Sequence, residues 1–244
     1  MSQTFHDLYN ERLIKRHYHH PIVVNNWEAT YFDFNEEKLA ALIQSAKGLG
    51  IETFVLDDGW FGKRNNDECS LGDWKVNLEK LPGGLTKVAQ MAKENGMQFG
   101  LWFEPEMISI DSDLYRTHPE YAIRIDNREH AVSRCQLVLD LSKKEVCQYI
   151  IDSISQLLDT VPISYIKWDF NRNITETQNP SLCHQYVLGL YFILDTLTAK
   201  YPHVLIEGCS GGGGRVDPGV LYYTPQIWTS DDTDAIERLF IQYG

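Results

Sequence analysis

Two rhythms of apolar and polar positions alternate along the 244-residue chain. Short, mainly apolar runs at 22–24, 53–56, 98–103, 137–139, 165–168, 204–206 and 227–228 predict seven strands. Between them, apolar residues recur every three or four positions, the spacing of an amphipathic helix. Leu39, Leu42, Ile43, Ala46 and Leu49 follow the opening Phe34-Asn35-Glu36, and Gly50 ends that helix. Leu85, Val88, Ala89 and Ala92 mark a second, closed by Asn95-Gly96. Val146, Ile150, Ile154 and Leu157 line one face of a third over 143–158. Further helices are predicted over 113–118, 186–199 and 233–243. Repeated βα units imply an α/β fold with a parallel sheet covered by helices. Seven strands with no internal break favour a (β/α)8 TIM barrel over an open doubly wound sheet. An eighth strand is missing, which would leave an exposed sheet edge. The chain therefore reads as a piece of a longer protein, with an arm over 1–20 and an incomplete TIM-barrel catalytic domain over 21–244.

Composition narrows the class. At 43% hydrophobic and 23% charged residues the chain is ordinary for a globular domain and unlike a disordered or collagen-like one. A net charge of −12, with no basic stripe, excludes a nucleic-acid partner. The one basic cluster, Arg12, Lys15, Arg16, His17, His19 and His20, reads as a solvated arm. The 5 cysteines are widely spaced and contain no Cys-x-x-Cys. That argues against zinc ribbons and thioredoxin-type sites and fits a reducing, cytoplasmic setting. No apolar run is long enough for a membrane span, and the first seven residues do not resemble a signal peptide.

Candidate chemistry clusters just after the strands. The second strand ends in Asp57-Asp58-Gly59-Trp60 and the third in Trp102-Phe103-Glu104-Pro105-Glu106. Arg134-Cys135 precedes the fourth, and the fifth ends in Lys167-Trp168-Asp169-Phe170-Asn171. The sixth ends in Glu207-Gly208-Cys209-Ser210 and the seventh in Trp228-Thr229-Ser230-Asp231-Asp232. In a barrel these positions share the C-terminal face, where active sites lie. Carboxylates bind hydroxyls in pairs and tryptophans stack on the apolar face of a pyranose, so the set describes a sugar site. Taken singly, an Asp after a strand reads as a helix N-cap and a Trp as core packing. Lys167 points into the barrel mouth and needs a carboxylate partner; Asp169, two residues on and on the same side, is the expected one. The run Gly211-Gly212-Gly213-Gly214-Arg215 lacks a P-loop ending and is followed by Val216-Asp217-Pro218 with no evident helix. Its glycines fit close backbone approach to a ligand better than phosphate binding. No helical His-x-x-x-His pair occurs, and neither a metal nor a cofactor is expected.

Five motifs together carry a family resemblance: Asp57-Asp58-Gly59-Trp60-Phe61-Gly62, Leu101-Trp102-Phe103-Glu104-Pro105-Glu106-Met107, Lys167-Trp168-Asp169-Phe170-Asn171-Arg172, Cys209 to Arg215, and Trp228 to Asp234. In this order, from Trp27 to the end, they resemble the glycoside hydrolase family 36 α-galactosidases, or melibiases. The resemblance implies a retaining hydrolase that removes terminal α-1,6-galactose from melibiose, raffinose or stachyose through a covalent galactosyl-Asp intermediate. By motif position Asp169 would be the nucleophile and Asp231 the general acid/base, with the adjacent Asp232 as rival. A retaining pair stands about 5–5.5 Å apart. Asp57 and Asp58 would grip the galactose 4- and 6-hydroxyls, with Trp102, Arg134 and Lys167 lining the same subsite. Cys209 and the backbone at Gly212 would reach the 2-hydroxyl, Trp27 would sit at the rim, and Asn171 would flank the nucleophile. The family uses no cofactor, its partner is a small oligosaccharide, and its full-length members are expected to be homo-oligomers. They also carry β-domains before and after the barrel. Three other readings stay open: galactosyl transfer of the raffinose-synthase type, a non-catalytic galactose-binding fragment, and a metal-dependent barrel enzyme such as an aldolase.

Overall fold

The computed structural model describes residues 2–13 and 19–243. In chain order it contains α1 (Ser2–Leu8), a π-helical turn at Tyr9–Leu13, β1 (Val23–Asn25), α2 (Trp27–Thr30), α3 (Glu36–Ala46) and β2 (Thr53–Leu56). Next come α4 (Gly84–Glu94), β3 (Gln98–Phe103), β4 (Met107–Ile108), α5 (Asp113–Thr117) and β5 (Leu137–Val138). The remainder is α6 (Lys144–Thr160), β6 (Tyr165–Trp168), α7 (Leu182–Lys200), β7 (Leu205–Gly208), α8 (Pro218–Tyr223), β8 (Gln226–Ile227) and α9 (Glu237–Tyr243). Local chemistry sets the helix starts. Asn35 Oδ1 accepts from the Lys38 amide (2.9 Å), and Glu36 and Glu37 favour the positive end of α3.

Six strands form one all-parallel sheet in the order β1-β2-β3-β6-β7-β8. The strand expected over 137–139 is not among them. Its residues Leu137 and Val138 pair antiparallel with Ile108 and Met107 in a separate two-stranded ribbon. An isolated apolar run looks the same whichever partner it takes, and here β6 pairs directly with β3 (Trp102 opposite Lys167). The seven parallel strands of the sequence reading are thus six. A second correction is α8, which the sequence reading left without a helix. Asp217 caps it, accepting from the Gly219 and Val220 amides (2.8 and 3.1 Å), and Pro218 occupies the first helical position.

Described residues of the arm touch the body. The Tyr9–Leu13 turn lies against α8. His19 meets Glu52 (2.9 Å), whereas Lys15, Arg16 and His17 fall outside the described residues. His20, just before β1, pairs with Gln226 on β8 (3.1 Å), so the sheet curls its two edge strands toward each other.

Alternation along the strands divides the two faces of the sheet. Phe54, Leu56, Phe99, Leu101, Ile166, Trp168 and Ile206 face outward into the main core, with Leu39, Val88, Ile150 and Ile193 from the helices. Each such buried side chain contributes about 1.5–3 kcal/mol. The concave face holds a second, small core of Val55, Tyr165 and Leu205, with Val23 beside it. Gly100 belongs to this tier because there is no room for more: a Cβ there would stand 2.8 Å from Val55 and 3.0 Å from Tyr165. No helix among the described residues is long and apolar enough to cross a membrane.

Candidate active site

Strand register stacks the polar residues above this small core. Asn25, Val55, Gly100, Tyr165 and Leu205 lie side by side across the sheet. Residues two positions further on, Asp57, Trp102, Lys167 and Glu207, share their side and form the next tier. Two positions beyond that come Glu104, Asp169 and Cys209, and Trp228 follows Gln226 in the same way. The ladder continues past the strand ends and keeps this tier in line: the amides of Asp169, Cys209 and Trp228 donate to the carbonyls of Phe103, Trp168 and Gly208 (2.8, 2.8 and 2.9 Å). Above them opens a cleft of about 610 Å³, part of it open solvent.

Asp169 is buried at the centre of this cleft. Its Oδ2 accepts from Trp102 Nε1 (3.2 Å) and Asn171 Nδ2 (2.6 Å), and its Oδ1 from the Phe170 amide (2.9 Å). Asn171 is itself clamped, since its Oδ1 accepts from the Gly211 amide (3.0 Å). Lys167 does not pair with Asp169 as the spacing suggested. Its Nζ donates to Asp57 Oδ2 (2.8 Å) and lies 4.6 Å from the centre of the Trp228 ring. Curvature explains the change: it carries the end of β2 across the concave face, and a partner 110 residues away reaches the ammonium. Burial alone would favour neutral Lys167, but Asp57, with Asp169 nearby, outweighs it and holds the ammonium above its ordinary range. Asp57 also accepts from Asn25 Nδ2 and from the Asp58 amide.

Asp58 has a different environment from its neighbour. Arg64 Nε donates to both its oxygens (3.0 and 3.2 Å) and Nη2 to Oδ2 (2.9 Å). Burial pushes the Asp58 carboxyl up and the guanidinium opposes that. Lys80 fastens the loops around this pair. Its Nζ donates to the carbonyls of Phe32, Gly59 and Arg64 (3.0, 2.9 and 2.8 Å) and sits 4.7 Å from the Phe34 ring centre.

Across the cleft, Arg134 and Cys135 occupy the two central positions of a tight turn, with φ of 51° and 59°. Such left-handed geometry costs a non-glycine residue of order 1 kcal/mol. Gln136 anchors the turn by donating from Nε2 to Glu104 Oε1 (2.9 Å). On the far side Trp228 Nε1 donates to Asp231 Oδ1 (2.7 Å), which brings that exposed carboxylate to the cleft. Asp232 instead turns to its own backbone, accepting from the Asp234 amide (2.9 Å). Arg215, at the end of the glycine run, spends its charge on Glu106 (3.1 and 2.7 Å) and stacks 4.3 Å from the Phe170 ring centre. Among the described residues, no group of three or more His, Cys, Asp and Glu is placed to hold a metal ion.

The model of the melibiase family matches residues 1–244. The chain belongs to the melibiase family. It is 55% identical to α-galactosidase AgaA of Geobacillus stearothermophilus and 53% identical to α-galactosidase Mel36A of Lactobacillus acidophilus, in each case over its whole length but only 35% of the relative's. A crystal structure of an AgaA variant in complex with raffinose superimposes with a TM-score of 0.95 at 54% identity, again over 100% of this chain and 35% of that one. The chain thus spans about a third of the length of the relatives it matches.

For this melibiase chain, the fold brings together Trp27, Asp57, Asp58, Trp102, Arg134, Lys167, Asp169, Asn171 and Asp231 around one cleft. Cys209 and Gly212 lie outside its lining. Cys209 is buried behind it, where burial and Asp169 keep the thiol protonated. Gly212, at φ 91°, packs on the loop before Asp231, and a Cβ would meet Ser230 Cα at 3.0 Å. Phe32, Arg64, Asp67, Glu104 and Gln136 also line the cleft and were not assigned from the sequence. Glu104 carried a readable signal, two residues beyond Trp102 on the same strand line. The partnership of Arg64 with Asp58 left no trace in spacing.

Proposed function

We propose that this chain carries the catalytic centre of a retaining α-galactosidase, with 21–244 as the catalytic domain, 1–20 as its arm, and the curled sheet as the wall of a (β/α)8 barrel. The observation that carries the reading is that Asp169 and Asp231, from the ends of β6 and β8, line one cleft whose walls are Trp102, Asp57 and Lys167. Asp169 attacks the anomeric carbon of a terminal α-1,6-galactosyl unit while Asp231 gives its proton to the departing oxygen. The carbon–oxygen bond to the leaving sugar breaks and a galactosyl ester forms on Asp169. Asp231, now a base, takes a proton from water, and the oxygen of that water displaces Asp169. Asn171 and Trp102 aim the nucleophile through their bonds to Oδ2. Asp57 and Asp58 receive sugar hydroxyls, Arg134 and Lys167 border the same subsite, and Trp27 stands at the rim. Cys209 and Gly212 support the 2-hydroxyl side from behind. Raffinose, melibiose and stachyose are the proposed substrates, and the raffinose complex of the AgaA variant supports this choice. A homo-oligomeric full-length protein working in the cytoplasm completes the reading.

The test is hydrolysis of p-nitrophenyl α-galactoside by the purified chain and by Asp169→Asn. The expected result is turnover by the first and a loss of roughly 10³-fold or more in the second, with the melting curve unchanged. An Asp169→Asn variant that keeps more than a few per cent of the rate would overturn the nucleophile assignment. Transfer to added sucrose in place of release would favour the transferase reading, and galactose binding without turnover the binding-fragment reading.

A further inference from the structure

Glu104 is almost fully buried at the end of β3, beside Asp169, and among the described residues no cation forms an ion pair with it. Arg64, whose guanidinium interacts with Glu104 through space, is already held by Asp58 and by the Cys69 carbonyl (2.8 Å). The Asn171 backbone amide (2.6 Å) and Gln136 Nε2 (2.9 Å) donate to Glu104 Oε1, and the Asn171 side chain adds to their pull toward the carboxylate, but burial outweighs all three. Asp169 accepts three N–H donors over its two oxygens. Two adjacent buried carboxyls cannot both ionise cheaply, and Glu104 is the more deeply buried of the two (2% exposed against 6%).

We propose that Glu104 is a positioning residue that acts as a neutral acid, fixing Asp169 through Asn171 and Arg134 through Gln136. This rests on the α-galactosidase reading for its catalytic consequence but not for its geometry. The Asn171 backbone held by Glu104 presents the amide that bonds Asp169, and the Gln136 side chain tethers the left-handed turn carrying Arg134. The groups facing Glu104 are Asp169 and Asn171 beyond β6, Arg64 after β2, and Gln136 before β5. Asp58, Lys167 and Arg134 lie around the same cleft. Burial first, and then the Asp169 charge, push the Glu104 carboxyl up to about 8.

The experiment compares the wild-type chain with Glu104→Gln and Glu104→Ala. One arm needs no turnover. A carboxyl with a raised folded-state pKa stabilises the fold fully below its unfolded value near 4.5, and that stability is lost as pH rises toward 8. Relative to Glu104→Gln, the wild-type unfolding constant should therefore rise by about 10²–10³-fold between pH 5 and 8. The indole N–H resonance of Trp102, which reports its bond to Asp169, should move in Glu104→Ala and stay in place in Glu104→Gln. In turnover, Glu104→Ala should lose roughly 10²-fold in kcat with a small change in KM, and Glu104→Gln should recover most of it. Parallel pH–stability curves for wild type and Glu104→Gln, or an unmoved Trp102 resonance in Glu104→Ala, would overturn the proposal. Both shifts intact in a wild type without turnover would uphold the placement of Glu104 and count against the α-galactosidase reading instead.

Discussion

Replacing Lys167 by Met keeps most of the side-chain volume and removes the charge. The ammonium and the Asp57 carboxylate are each 4% exposed and 2.8 Å apart. At an effective dielectric constant of about 20, two unit charges at that distance attract by roughly 6 kcal/mol. Desolvation of both ions offsets much of this, so the pair is worth far less than its gross attraction. Removing one partner is another matter, because the other stays buried with nothing to answer it. Lys167→Met should therefore cost about 3–5 kcal/mol. The bonds Asp57 keeps to Asn25 and to the Asp58 amide favour the low end. Asp57→Asn should cost a similar amount, since it leaves the ammonium with the Trp228 ring as its close partner. The double variant removes both charges and should recover at least about 2 kcal/mol of the summed losses. Urea unfolding at pH 7 reads this directly: with a slope of about 3 kcal/mol/M, each single variant moves the midpoint down by roughly 1–1.7 M. Single losses below about 1 kcal/mol, or a double variant additive within about 0.5 kcal/mol, would refute the reasoning.

Two further expectations follow from the same geometry. A methyl group on Gly189, within α7, would stand 1.9 Å from the Leu141 carbonyl oxygen, so Gly189→Ala should cost at least about 2 kcal/mol in thermal or urea unfolding, and an unchanged midpoint would show that α7 does not lie so close to Leu141. Asp231→Ala should lower kcat/KM for melibiose by roughly 10²–10⁴-fold and that for p-nitrophenyl α-galactoside far less, because the aryl group leaves without a proton; equal losses would count against the acid role.

Much of the sheet was legible where apolar runs are long and bounded. Thr53–Leu56, Gln98–Phe103 and Tyr165–Trp168 fall where the pattern places them. The motifs at their ends share one side of the sheet because the two-residue period does. Partnerships were not legible. Leu137-Val138 reads locally like any buried strand, and only the non-local choice of Met107-Ile108 as its neighbour removes it from the parallel sheet. Lys167 has an acid two residues away in sequence and takes one on another strand, because curvature, which no local pattern encodes, decides what faces the ammonium. The start of α8 was different: Asp217-Pro218 is a cap followed by a first-turn proline, a local signal overshadowed by the glycines before it. The acids that line the cleft were therefore picked out by motif, while the groups beside them, Arg64, Glu104 and Gln136, emerge only once distant segments are in place.

Lys80 answers a problem that loop-rich surfaces often solve with a dissolved ion. Three peptide oxygens from separate turns converge on its ammonium and an aromatic ring stands beside it, an arrangement that a potassium or calcium ion could otherwise organise. Here the cation is part of the polypeptide, at an effective local concentration that dialysis cannot lower. The turns at Phe32 and Gly59, and with them the rim of the cleft, are tied by a charge that folds with the chain, and because burial draws that ammonium's pKa down to about 8 the tie is strongest below that pH.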